Sequence, residues 1–257
     1  MIQNQHDISV TSVSVNDWAD AQKYEKETWF INNKRNSFAK LVYKFFKALA
    51  KPKEFLRLLY FRDFYCGNDW NFWWLDQFES YQVLPKFLET SLEIGCGPYS
   101  NTRIISKLIK IKNIYCSDPL MDVYKTFKLT WVSEQARRGK IKTITGMGES
   151  VALPDKSVDL VICVNVLDHV QDASLCLSEV FRVLKPGGFF VFGQDLSDEK
   201  DLANLPISQG HPIRLSEQFL DSILENKYTP LLKKILSREQ GRNPEGHCGT
   251  YILIGKK

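Results

Sequence analysis

The sequence predicts an α/β fold built on a mostly parallel sheet, and three observations carry that reading. Leu92-Glu93-Ile94 runs into Gly95-Cys96-Gly97-Pro98, and a helix follows with its apolar face at Ile104, Ile105 and Leu108. Val158 to Val164 is a near-continuous apolar run, as a strand buried on both faces requires. Strand-like runs at Ile114–Asp118, Lys140–Thr145 and Phe189–Phe192 alternate with helical stretches. Strand, glycine turn and helix form the opening unit of a nucleotide-binding domain. The two glycines let the backbone approach a ligand, and the helix N-terminus, with Asn101 or Thr102 as its expected cap, offers free N–H groups.

Two details narrow the ligand. Ser100 stands where a dinucleotide fingerprint carries its third glycine, which disfavours a pyrophosphate. Asp118 closes the next strand-like run about 20 residues on, where a ribose-binding carboxylate belongs. The pair suits an adenosine moiety without a phosphate bridge.

Glu93-Ile-Gly95-Cys-Gly97 resembles the E/D-x-G-x-G signature of the class I S-adenosylmethionine-dependent methyltransferases. Val166-Leu167-Asp168-His169-Val170 is similar to the family's V-L-x-H-V, and Lys185-Pro186-Gly187-Gly188 to its helix-stopping turn. The resemblance covers roughly residues 90–195. It implies a Rossmann-like, seven-stranded, mostly parallel sheet with an antiparallel last strand. Residues 89–257 would form this domain, and residues 1–88 an N-terminal helical cap rich in aromatic and basic residues. The implied cofactor is S-adenosyl-L-methionine, with S-adenosyl-L-homocysteine as product. Its expected ligands are Glu93, Gly95, Cys96, Gly97, Asp118 and Pro119, with Gly148, Glu149 and Asn165 beside them. Met147 departs from the family, because many relatives place there an acid that accepts from the adenine amino group.

Residues 1–15 read as a polar tail. Asn16 or Asp17 is the expected cap of a helix to about Asn32, with Trp18, Ala21, Tyr24, Glu25, Thr28 and Trp29 near one face. Residues 34–62 are basic. Lys40, Lys44, Lys47 and Lys51 share one side of an amphipathic helix that breaks near Pro52, where a second helix starts. A solvated lysine face, an anionic lipid surface and an RNA backbone compete as readings of that stripe. Residues 64–81 are dense in aromatics after a turn at Gly67-Asn68-Asp69; Trp70, Trp73 and Trp74 fall on one helical face, as core or as a pocket wall. A helix is expected from Asp76 to Leu88, with Pro85 late in it. Another should run from Met121 to Arg137 and stop at Gly139. Asp172 caps the helix after Val170, and Ser216 caps one reaching Leu224. Residues 196–214 form a polar loop, in which Gly210-His211-Pro212 could act as a substrate lid. Leu231–Leu236 and Thr250–Ile254 read as the two closing strands.

Methyl transfer is an in-line displacement, and a base is needed only where the acceptor proton must leave early. His169, beside the expected methyl site, and His211, in the overhanging loop, are candidate bases. Asp168 and Asp195 are acidic alternatives, His247 is a weaker candidate, and His6 lies in the tail. No N/D-P-P-Y/F segment, no Pro-Cys pair and no acidic cluster of the catechol type occurs. This disfavours adenine N-methylation, cytosine C5 chemistry and a magnesium site.

The 257 residues suffice for one large domain with an elaboration, or one domain plus a small cap, and 44% hydrophobic and 25% charged side chains are those of an ordinary globular protein. A net charge of +4 tolerates anionic partners without demanding nucleic acid. Six cysteines without a C-x-x-C pair give neither a disulfide framework nor a zinc site. With no signal-like or spanning stretch, a cytoplasmic protein, peripheral to the membrane if the lysine stripe binds lipid, is expected. The expected acceptor is a small metabolite or a glycan or glycolipid sugar, methylated on oxygen. An enzyme directed to RNA or a membrane surface, a non-catalytic cofactor-binding protein and, more distantly, a nicotinamide oxidoreductase are the alternatives.

Overall fold

The computed structural model describes residues 9–35, 38–61, 65, 71–198, 201 and 210–257. His6, Arg62, Phe64, the Gly67–Asp69 turn, Trp70 and most of the 196–214 loop lie outside the described residues.

Seven strands form one sheet in the order β3-β2-β1-β4-β5-β7-β6: β1 Phe87–Ile94, β2 Lys110–Asp118, β3 Lys142–Thr145, β4 Val158–Val164, β5 Leu184–Leu196, β6 Thr229–Ser237 and β7 Gly249–Lys256. The pairs β1–β2, β2–β3, β1–β4 and β4–β5 are parallel. The last strand, β7, runs antiparallel to both its neighbours. The chain winds outward from β1 to β3 and then returns to place β4 on β1's other side. The C-terminal ends of β1 and β4 therefore flank a topological switch point, where open α/β sheets bind ligands.

Alternation along β4 divides the core. Val161 and Cys163 face Leu177 and Val180 of the helix Ala173–Val183. Leu160, Ile162 and Val164 face Ile104 and Ile105 of the helix Thr102–Leu108, together with Trp74 and Phe78. The tryptophan cluster is thus partly core: the Trp74 ring lies where a β-carbon on Gly193 of β5 would stand, 2.6 Å from its nearest ring atom. Trp74, Phe78 and Tyr81 stack in sequence with centroids 5.8 and 5.3 Å apart.

The helices are α1 Val15–Lys34, α2 Phe38–Leu49, α3 Pro52–Phe61, α4 Asn71–Gln77, α5 Thr102–Leu108, α6 Met121–Tyr124, α7 Trp131–Arg137, α8 Ala173–Val183 and α9 Glu217–Leu224. The Asp172 and Ser216 caps stand as expected, accepting from Leu175 N at 2.9 Å and Phe219 N at 3.1 Å. Three helix expectations are corrected. Ser14, not Asn16 or Asp17, caps α1, accepting from Asp17 N at 3.2 Å. The Asp76–Leu88 helix is absent: α4 stops at Gln77, Glu79, Ser80 and Tyr81 adopt positive φ, and β1 begins at Phe87. This turn buries Phe78, Tyr81 and Leu84, and Pro85 forces the residue before it out of helical geometry. The Met121–Arg137 helix is two helices, separated where Leu129 adopts φ +55° and Thr130 is extended.

Segments before β1 are joined to the sheet domain. Val10 bridges to Arg214 and Ser12 to Asp172, and Arg57 of α3 forms a bidentate pair with Asp76 of α4. No helix among the described residues is long and apolar enough to cross a membrane.

Candidate active site

Gly95 and Gly97 follow β1 with φ +61° and +54°, the left-handed region that favours glycine. A β-carbon at Gly95 would stand 2.6 Å from Val166, whereas the space beside Gly97 is open. Beyond this turn lies a cavity of about 200 Å³. Its floor is Ile94, Gly95, Gly97, Asp118, Pro119, Gly148, Glu149 and Asn165, at the ends of β1, β2 and β4 and in the loop after β3. Its roof is Trp18, Gln22, Glu25 and Trp29 on one face of α1, and His169 closes one side.

Asp118 is buried at the cavity wall. Its Oδ2 accepts from Gly97 N at 3.0 Å and its Oδ1 from Leu120 N at 2.8 Å. Each oxygen keeps a lone pair for a ligand hydroxyl. Burial pushes this carboxyl up to about 6, against the lowering effect of those two backbone bonds. Asn165, itself at φ +56°, also lines the cavity, and its Oδ1 is buried with no hydrogen-bond partner. An orphaned acceptor there fits a ligand's ammonium group. Glu25 adds a carboxylate to the same wall, and Trp29 Nε1 donates to its Oε1 at 2.5 Å.

Two expected cofactor ligands stand elsewhere. Glu93 is absent from the cavity wall and 2% exposed. Its Oε2 accepts from Ser100 Oγ, Thr102 N and Thr102 Oγ1 at 2.5–2.9 Å, and its Oε1 from Asn101 N at 2.7 Å. Glu93 therefore caps α5, the role expected of Asn101 or Thr102. Burial raises its pKa, and these bonds oppose the rise. Cys96 is buried against Cys116, Met121 and Trp131 rather than at the cavity. Glu149 does reach the wall, yet its Oε1 also accepts from Gln171 N at 2.5 Å and Asp172 N at 3.1 Å, fixing the start of α8. Met147 does not line the cavity.

The three candidate catalytic residues come together. His211 Nδ1 lies 2.7 Å from Asp168 Oδ2, and the His211 and His169 ring centroids are 4.1 Å apart. His169 Nε2 is 3.9 Å from Asp168 Oδ1, an oxygen that is buried without a hydrogen-bond partner. Burial pushes the Asp168 carboxyl up, but the fields of His169 and His211, the His211 hydrogen bond and His247 outweigh it and hold it well below the usual range. Burial pushes the His211 imidazole down, and the Asp168 charge and hydrogen bond more than reverse that. The ionised carboxylate thus accepts from His211 Nδ1–H and leaves Nε2 as the basic nitrogen. His169 is held from behind: its carbonyl accepts from Trp18 Nε1 at 3.1 Å and Gln22 Nε2 at 3.2 Å. His211 itself is not on the cavity wall; its ring packs beside that of His169, which is. Asp195 is engaged otherwise, by Arg242 at 2.5 Å and Thr250 Oγ1 at 3.1 Å. His247 lies 3.9 Å from it and away from the cavity.

Sequence reasoning missed Gln22 and Tyr124 on the cavity wall. It placed Trp18, Glu25 and Trp29 on one helical face, which the resemblance allows either to cover the active site or to pack on the core, and gave Glu25 no role of its own. The signal available was the carboxylate on an aromatic stripe, since an acid among aromatics is seldom a plain packing residue.

Sheet order, glycine turn and strand-end carboxylate define a Rossmann-like α/β domain with a mononucleoside-type pocket. Residues 92–192 match the family model described as a methyltransferase domain. Thiol S-methyltransferase TMT1B of Rattus norvegicus is 34% identical over 110 residues, 42% of this chain and 43% of that protein. The chain spans less than half the length of the thiol S-methyltransferases it matches. Among solved structures, the N-methyltransferase NodS from Bradyrhizobium japonicum WM9 aligns with a TM-score of 0.52 at 17% identity, covering 73% of this chain and 93% of NodS. The [4+2]-cyclase SpnF aligns at 0.54 and 18%, covering 75% and 85%. These two likenesses concern the fold. Residues 92–192 therefore carry a methyltransferase domain of the class I, S-adenosylmethionine-dependent family.

The pocket fits that family's cofactor: Asp118 for the ribose hydroxyls, the open space beside Gly97, and the orphaned Asn165 Oδ1 for the ammonium. Asp118→Asn is expected to weaken binding of S-adenosylhomocysteine roughly 10- to 100-fold, the loss of one charge-assisted hydrogen bond or more. It should leave the melting temperature at pH 7 within a few degrees of the parent. The folded state binds this proton up to about pH 6, while the unfolded value is 3.8. The group's contribution therefore falls as pH rises through that window, and at pH 7 it opposes folding by about 3 kcal/mol. Asparagine removes that opposition but leaves one backbone N–H short of an acceptor. Calorimetric titration and thermal unfolding check both halves; a large drop in melting temperature would show Asp118 to be a structural carboxylate.

Proposed function

We propose that this chain transfers a methyl group from S-adenosylmethionine to a protic oxygen or sulfur atom of a small molecule, sugar hydroxyls included. His211 serves as general base. The observation that carries this reading is the 2.7 Å Asp168–His211 pair, whose imidazole packs against the cavity-lining His169. A fixed, raised imidazole has a use where an acceptor must lose a proton. The matched relatives include thiol S-methyltransferases, which supports a thiol beside the hydroxyl as a candidate acceptor.

When bound, the cofactor supplies an electrophilic methyl group on a sulfonium sulfur. Asp118 accepts from the ribose hydroxyls, and Asn165 from the amino-acid end. The roof of α1, pinned to the His169 carbonyl through Trp18 and Gln22, keeps water from the cavity. His211 Nε2 takes the acceptor's proton, and Asp168 holds the resulting imidazolium. The His169 ring, on the cavity wall and 4.1 Å from the His211 ring, orients the acceptor beside the base.

The test is a panel of small thiols, phenols, sugar alcohols and amines incubated with the cofactor, read by mass spectrometry of the product and by S-adenosylhomocysteine release. S- or O-methylated product with equimolar S-adenosylhomocysteine is expected. Products methylated only on nitrogen would remove the need for the base. Cofactor binding without turnover on any acceptor would favour the non-catalytic alternative.

A further inference from the structure

Helices α2 and α3 form a hairpin whose inner side is fully engaged. Phe45 and Phe55 meet edge to face at 5.2 Å, Ala48, Leu58 and Phe61 are buried, and Phe61 packs on Phe72 of α4 at 5.5 Å. The outer side is different. Phe38, Tyr43, Phe46 and Leu49 on α2, and Leu56, Leu59 and Tyr60 on α3, are 43–76% exposed. Single exposed apolar residues are ordinary, but seven within 23 residues of one hairpin form a patch.

Angular position sharpens this. At 100° per residue, Phe38, Leu49, Phe46 and Tyr43 share one arc of α2. Lys47, Lys40 and Lys44 share the next, and Leu41, Phe45 and Ala48 the inward third. Residues 38–61 hold six cations, Lys40, Lys44, Lys47, Lys51, Lys53 and Arg57, against the single acid Glu54. An apolar arc bordered by lysines is the arrangement of a helix lying in a membrane interface. There the lysine stems lie along the apolar boundary and the ammonium groups reach headgroup phosphates. Tyr43 and Tyr60 supply amphipathic rings at the same level.

We propose that the outer face of α2 and α3 docks on an anionic phospholipid bilayer. Phe38, Phe46, Leu56 and Leu59 enter the acyl boundary, and Lys47 and Lys53 meet the headgroup phosphates. Complementary charge selects an anionic surface. The aliphatic share of the patch selects a bilayer over RNA, because Leu49, Leu56 and Leu59 neither stack on bases nor bind phosphate. A second copy of the same face would bring like-charged lysine bands together. The inference stands independently of the acceptor proposed above, because it uses no residue of the cavity.

Sedimentation of the full chain with phosphatidylcholine vesicles, and with the same vesicles containing about a third phosphatidylserine, tests it. Binding to the anionic vesicles alone is expected. It should weaken about tenfold or more in Lys47→Glu/Lys53→Glu, on adding about 0.5 M salt, and in Phe46→Ser/Leu56→Ser. All four positions are on the outer side, so S-adenosylhomocysteine binding and melting temperature serve as controls for folding. No association of folded protein with anionic vesicles would overturn the proposal, as would association indifferent to both variant pairs. Polyuridylate binding without lipid binding would assign the face to RNA. Dimerisation lost in Phe46→Ser/Leu56→Ser, without lipid binding, would assign it to a second copy of the chain.

Discussion

Asp168→Asn is expected to lower turnover of a hydroxyl or thiol acceptor by roughly 100-fold and to move the rising limb of the pH–rate profile to lower pH. The two effects have one cause. The base works as neutral imidazole, so the limb sits at the pKa of His211, which the Asp168 charge and hydrogen bond raise against the effect of burial. An asparagine keeps the size of the side chain but removes that charge. It also offers either an amide oxygen or an amide N–H to His211 Nδ1, so the tautomer with a basic Nε2 is no longer enforced. S-adenosylhomocysteine affinity should be unchanged, because Asp168 is not on the cavity wall. His211→Ala should abolish the limb altogether. Stability moves in a defined direction too. The Asp168 carboxyl is held below its ordinary value, so its contribution is present above the ordinary carboxylate range and is lost as pH falls through the folded value. Asp168→Asn should flatten that acid limb. A parental rate and an unshifted pH profile in Asp168→Asn would show that the cluster serves packing alone.

The parts of this fold legible in the sequence are those whose causes are local. The apolar run of β4 declares burial on both faces, and Asp172 and Ser216 declare helix starts because a capping side chain acts within three residues. The glycine turn is legible because a positive φ at 95 and 97 suits glycine. Where left-handed backbone falls on other residues, the pattern misleads. Glu79, Ser80, Tyr81 and Leu129 break two helices that their apolar spacing supports. What holds those turns is the burial of Phe78, Leu84 and Phe127 against distant parts of the chain. The site divides in the same way. Asp118 is legible from its distance to the glycines, whereas the pairing of His211 with Asp168 spans 43 residues and the bond from Trp18 of the α1 roof to His169 spans 151. Neither leaves a periodic trace. The lysine stripe of α2 was legible, but the exposed apolar arc beside it was not, because periodicity alone does not say which of two apolar arcs meets the core.

Glu93→Ala is expected to cost roughly 3–5 kcal/mol of folding stability, at roughly 1–3 kcal/mol for each of the two backbone N–H groups left without an acceptor, the hydroxyl donors being free to rotate. That lowers the melting temperature of a domain this size by roughly 10–15 °C. The donors are the backbone N–H groups of Asn101 and Thr102, which open α5, and the hydroxyls of Ser100 and Thr102. Two of them are orphans by position, because the first turn of a helix has no carbonyls behind it. Truncation to alanine also opens a void that is too enclosed for ready access by water, since Glu93, Ser100 and Thr102 are all buried. Glu93→Gln separates charge from shape. It relieves the cost of burying a carboxylate, which is what raises the Glu93 pKa. It then turns Oε1 into a donor, which costs the backbone N–H of Asn101 its acceptor, while Asn101 Oδ1, buried without a partner, can turn to receive the new N–H. Glu93→Gln should therefore lose no more than about a third of the alanine effect. Thermal unfolding of both variants, with and without S-adenosylhomocysteine, distinguishes this from a direct ligand role. A residue that touched only the cofactor would leave the melting temperature of the free protein unchanged and abolish only the increase on adding ligand. Here the free protein should already be destabilised, and any loss of affinity should follow from displacement of the Gly95–Gly97 turn that α5 anchors. The acid of the glycine signature thus acts on the ligand through the backbone: it fixes the helix, the helix fixes the turn, and the turn leaves the space that the cofactor fills.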